Sequence, residues 1–164
     1  MQTFSNLRRN STLKEALKAS LLLICFYFYT CLSDIYLFLP PMIGFLFILY
    51  MQASRENRWI FTFAIVLCLI FSEFDHDKTA GVLPIVFVVT NWLVIKKFRL
   101  LFEDNLLFVF VYVPLIYFAY FFTLYLLNIF GGNEDSLDLS SIFISYIFYE
   151  ACLGIAYEKI KHQI

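Results

Sequence analysis

The sequence predicts an all-α integral membrane protein, a bundle of six transmembrane helices. Three observations predict it. Hydrophobic residues make up 62% of the 164 and charged residues 15%, where a soluble domain has about half and about a quarter. Apolar runs of helix length alternate with short polar loops along the whole chain, and the mean hydropathy is +0.78. Lys and Arg segregate: on a six-crossing scheme, eleven of the twelve fall on one side. The excess of Lys and Arg marks the cytoplasmic side, so both termini are expected there. Residues 1–164 are then one six-helix transmembrane domain.

The first helix is expected at about 16–33, after a polar arm that carries Arg8 and Arg9. Thr12-Leu13-Lys14-Glu15 fits a capping box, in which hydroxyl and carboxylate satisfy free amides at a helix start. Asp34 marks the far end. The second helix is expected at about 36–53. Pro40 and Pro41 near its start are tolerable because first-turn amides have no helical partner to lose. The helix proper can begin as late as Pro40. A polar loop, Gln52 to Arg58, leads to a third helix at about 59–74. The acidic stretch Ser72-Glu73-Phe74-Asp75-His76-Asp77-Lys78 follows.

The fourth helix, about 81–95, has Pro84 in its first turns and leaves through Lys96, Lys97 and Arg99. Phe98 to Phe102 reads as an amphipathic piece lying along the membrane surface. The fifth helix, about 106–130, is the longest and so is expected to tilt. Pro114 is its candidate kink. Gly131 to Ser136 makes a loop, and the sixth helix is expected at about 141–157 before a tail with Lys159 and Lys161.

Several functions lack the residues they need. A net charge of −1 offers no basic surplus for nucleic acid. No nucleophile–base motif, metalloprotease motif or phosphate-binding loop is present, so neither enzyme activity nor a cofactor is expected. His76 and His162 lie on opposite sides of the bilayer. His76 between Asp75 and Asp77 reads as a solvated loop and not as a metal site. Cys25, Cys31, Cys68 and Cys152 sit in apolar runs and read as small packing residues.

One charge falls inside the hydrocarbon. Glu150 lies about ten residues into the sixth helix, roughly 15 Å at the helical rise. Asn91 and Tyr120 come to a similar depth on the fourth and fifth helices. A carboxylate facing lipid at that depth is costly, so Glu150 should face the bundle and find a partner. Gly154, one turn on, would let a neighbouring backbone approach. Glu150, Asn91, Gly154 and Tyr120 are therefore the candidate contacts, within the bundle or with a partner. A lone acid makes a poor proton relay, which favours a packing role. Tyr27, Tyr29, Tyr36, Tyr50, Trp59, Tyr112 and Tyr157 sit near helix ends, where amphipathic rings prefer the interface. Phe118, Tyr120, Phe121 and Phe122 lie mid-helix, facing lipid or a partner groove.

A set of positions carries a family resemblance. Glu73 closes the third helix, Gly81 opens the fourth, and Lys96-Lys97-Phe98-Arg99 closes it. Pro40 and Pro41 open the second helix, and Lys159 to Lys161 end the sixth. In this the chain resembles the rod shape-determining protein MreD family. The resemblance implies a non-catalytic protein of the bacterial inner (cytoplasmic) membrane. It implies a single-pass MreC-like partner, with MreB, RodA and the transpeptidase reached indirectly. That family resembles in fold the six-helix substrate-binding (S-component-like) subunits of vitamin-uptake transporters. The alternative expectation is therefore a small-molecule-binding membrane subunit.

Overall fold

The computed structural model describes residues 2–36, 38–75, 81–95, 107–131 and 142–163. Six helices form among them. They are α1 (Gln2–Ile35), α2 (Ile43–Arg55), α3 (Trp59–Asp75), α4 (Val82–Thr90), α5 (Leu107–Gly131) and α6 (Ile142–Gln163). A π-helical segment, Asn91–Ile95, continues α4. The acidic loop around His76, the basic stretch after Ile95 with the amphipathic 98–102 piece, and the loop before α6 lie outside the described residues.

Where these bounds differ from expectation, the reason is local. No Gly or Pro interrupts residues 2–35, so α1 runs through the expected polar arm. Thr12 and Glu15 are then helix interior, and no capping box forms there. The Glu15 carboxylate instead accepts the Phe61 N–H at 3.3 Å, in the first turn of α3. α2 begins at Ile43, seven residues later than the expected start. Pro41 pushes the residue before it out of the helical region. Met42 then takes a left-handed conformation with φ 59°. Residues 36 and 38–42 consequently belong to a non-helical link, held against α1 by side chains. The Tyr29 hydroxyl donates to the Pro40 carbonyl at 2.6 Å, and Ser33 Oγ donates to the Leu39 carbonyl at 3.4 Å. Pro40 and Pro41 have no N–H to satisfy, which suits a link pressed into the bundle. α5 continues through Pro114 without a break.

α2 is the axis of the bundle. It packs against α3, α5 and α6, and α5 packs in turn against α4 and α6. Most of α2 is buried, from Ile43 to Ala53. Phe47 and Phe87 meet edge to face at 5.0 Å in the middle of the core. Two contacts fix the relative direction of α2 and α6. Gly44 at the start of α2 meets Glu150, and Gln52 near its end accepts from the Tyr157 hydroxyl at 2.8 Å. The two helices therefore run parallel.

The outer faces are apolar. Thr12–Ile35 and Phe110–Phe130 are long and apolar enough to cross a membrane, with mean hydropathies of 1.6 and 1.9. Only 11% and 28% of an apolar 18-residue stretch within each is buried, so neither is the core helix of a globule. Their large side chains point outward instead, Leu17, Phe28, Phe118 and Phe130 among them. Trp59–Phe74 and Val82–Leu93 are apolar but shorter. Cys68 packs in the core, whereas Cys25, Cys31 and Cys152 are exposed, so the packing role expected of all four holds for Cys68 alone.

Candidate functional site: two buried carboxylates and the cavity beside them

A helix start leaves backbone N–H groups without partners, and a side chain at the N-cap usually accepts one. In α2 and α4 the N-cap residue does not supply this. Met42 and Gly81 are both left-handed, and neither makes a side-chain cap. Distant carboxylates take over. Glu150, fully buried, reaches from α6 to the start of α2. Its Oε2 accepts the Gly44 N–H at 2.5 Å and the Phe45 N–H at 3.2 Å. Its Oε1 accepts the Tyr117 hydroxyl of α5 at 2.6 Å. One carboxylate thereby ties three helices together.

Glu73 repeats the arrangement at α4. It is 1% exposed. Its Oε2 accepts the Gly81 N–H at 2.5 Å and its Oε1 the Leu83 N–H at 2.6 Å. The positive end of each helix dipole further favours a carboxylate at both places. Glu15 at the first turn of α3 is a third, more exposed instance.

Gly44 makes the Glu150 junction possible. A Cβ there would lie 2.6 Å from Val113 Cγ1 and 2.7 Å from Glu150 Oε2. Gly81 answers a different need: among the described residues nothing lies within 4 Å of a Cβ built on it, but its φ is +99°, a conformation that other L-residues rarely adopt.

The expected contact residues divide between separate places. Glu150 and Gly154 are buried in the chain's own interior. Asn91 does not join Glu150; its side chain lies near the Tyr50 hydroxyl instead, between α2 and the π-helical segment. Tyr120 is buried but faces Glu73's side of the bundle, and the residue bonded to Glu150 is Tyr117, about one turn away. Pro40 and Gly81 are both engaged, the first through its carbonyl and the second through its N–H. Sequence reasoning missed Gly44 and Tyr117. A Gly just inside an apolar helix signals close approach, and a mid-helix Tyr in an apolar run needs a hydroxyl partner; together those signals point to them.

Beside Glu73, and reaching the Tyr117 that bonds Glu150, lies a cavity of about 390 Å³. Glu73, Ser33, Ser72, Tyr117, Tyr120 and Tyr146 give it polar groups, and aliphatic and Phe side chains complete the wall. Among the described residues, no group of three or more His, Cys, Asp or Glu is placed to hold a metal ion. Compared with known proteins, the chain matches no family model, no curated protein and no solved structure.

Proposed function

We propose that this chain is a six-pass protein of the bacterial inner membrane, with both termini cytoplasmic. In this reading it acts without catalysis, as a scaffold of the cell-elongation machinery that supports rod shape and peptidoglycan synthesis. The observation that carries the reading is the Glu73–Gly81 hydrogen bond. These are two of the positions on which the MreD resemblance rests, and they are direct partners. The parallel run of α2 and α6 supports the crossing scheme, because even-numbered passes share a direction. Outward-facing apolar side chains on α1 and α5 support a lipid surround.

Both buried acids are engaged as helix caps, which supports a packing role over proton transfer. The partner surface is then elsewhere. Along α1, Leu17, Leu21, Ile24, Phe28 and Ile35 are all more than half exposed. Their spacing of three and four residues, completed by exposed Cys31, is the seam that a second helix packs against. An MreC-like single-pass protein would lay its transmembrane helix there, with MreB, RodA and the transpeptidase reached through it. Basic cytoplasmic loops would meet anionic headgroups.

Purification in mild detergent tests this. A single-pass protein with a periplasmic coiled coil should co-purify, and the double variant Ile24→Ala, Phe28→Ala should lose it without loss of folding. Co-purification of an ATPase pair would overturn the scaffold reading. The cavity beside Glu73 favours a second reading, a small-molecule-binding subunit of a vitamin-type transporter.

A further inference from the structure

We propose that the cavity beside Glu73 is a binding site for a protonated amine carrying an apolar or aromatic body. Its volume of about 390 Å³ lies within the usual range for small-molecule sites, about 300–1,000 Å³. The wall chemistry selects the ligand's charge. Glu73 is the acidic group on it, and the described lining residues include no Lys, Arg or His. An anion would meet a carboxylate with nothing to balance it. An ammonium group meets the carboxylate in a wall that also holds the rings of Tyr117, Tyr120 and Tyr146, and aromatic rings attract cations through their quadrupole.

The hydrogen-bonding capacity is in place. Each Glu73 oxygen takes one backbone N–H, which leaves a further lone pair on each for a ligand donor. Next to it in sequence, Ser72 is 4% exposed and lines the same cavity. Its hydroxyl bonds to no protein group among the described residues, and a buried polar group without a partner is costly. A ligand N–H donated to Ser72 Oγ removes that cost. Phe121 and Phe143, which meet edge to face at 5.1 Å, offer an aromatic wall for the ligand's body. The site stands whichever reading of the chain's role holds, so its test is separate from the co-purification above.

The probe is phenethylammonium, measured by equilibrium dialysis against the full chain in detergent micelles, with empty micelles as the blank. Propylbenzene, of the same shape without charge, and 3-phenylpropanoate, an anion, are the comparators. Phenethylammonium should bind at least tenfold more tightly than either. Glu73→Gln removes the charge and keeps an acceptor for only one of the Gly81 and Leu83 amides, and should weaken binding at least tenfold. Ser72→Ala, which leaves the α4 cap intact, should weaken it at least threefold and keeps the test open if Glu73→Gln fails to fold. Three results would each overturn the proposal: retention equal to empty micelles, propylbenzene binding as tightly as the amine, or unchanged affinity in Ser72→Ala.

Discussion

At the scale of single residues, the molecule turns on carboxylates that do another residue's work. Glu150 closes the start of α2 because Met42 cannot, and it holds Tyr117 as well. Removing it leaves three donors unpaired in the interior. A buried donor left unmade costs about 1–3 kcal/mol, so Glu150→Leu should lose at least about 3 kcal/mol of stability. Glu150→Gln, which keeps a carbonyl acceptor, should lose clearly less. Unfolding in detergent, followed by helix content, checks both; equal losses would mean that the hydrogen bonds are not what Glu150 contributes. The two glycines separate two kinds of strain. Gly44→Ala drives a methyl into Val113, and overpacking of this kind costs about 1–3 kcal/mol. Val113→Ala should restore part of it. Gly81→Ala meets no neighbour among the described residues, yet it forces an unfavourable φ, which costs about 1–3 kcal/mol. No second substitution nearby should rescue it. Glu150 was legible as the residue that must find a partner, because a charge deep in an apolar run admits little else. Its partner was not, because depth along a helix puts Tyr120 and Tyr117 within a turn of each other and says nothing about which way each faces.

At the scale of elements, apolar runs predicted where helices lie better than where they start. α3 begins and ends within a residue of expectation, since polar loops bound it on both sides. α2 does not, because its entry is set by backbone stereochemistry and tertiary hydrogen bonds. Pro40 and Pro41 were visible, but the left-handed turn at Met42 and the bond from Tyr29 were not. That bond is testable: Tyr29→Phe removes one hydroxyl from a carbonyl and should cost about 0.5–1.5 kcal/mol in the same unfolding assay. No change would mean that the prolines alone hold the link. The capping-box reading of Thr12 to Glu15 failed for a related reason. The motif is local, whereas the amide that Glu15 satisfies belongs to another helix. Aromatic placement was likewise only partly readable. Phe118 faces outward at 74% exposed, while Tyr120, two residues on, is buried. An apolar helix pattern without polar contrast cannot tell lipid from core.

At the scale of the whole molecule, composition foretold a chain that leaves large apolar side chains on its outside, and α1 and α5 do so. It did not foretell that a helix as short as α2 would be the buried axis, because burial depends on which neighbours surround a helix. The account rests on six membrane passes with cations on the cytoplasmic side. The Lys and Arg distribution and the parallel α2 and α6 both support that reading. The most direct test places a reporter active only in the cytoplasm at Asn133, between α5 and α6, and a second copy after Ile164. The account predicts a silent reporter at Asn133 and an active one after Ile164. Activity at Asn133, or silence after Ile164, would contradict it.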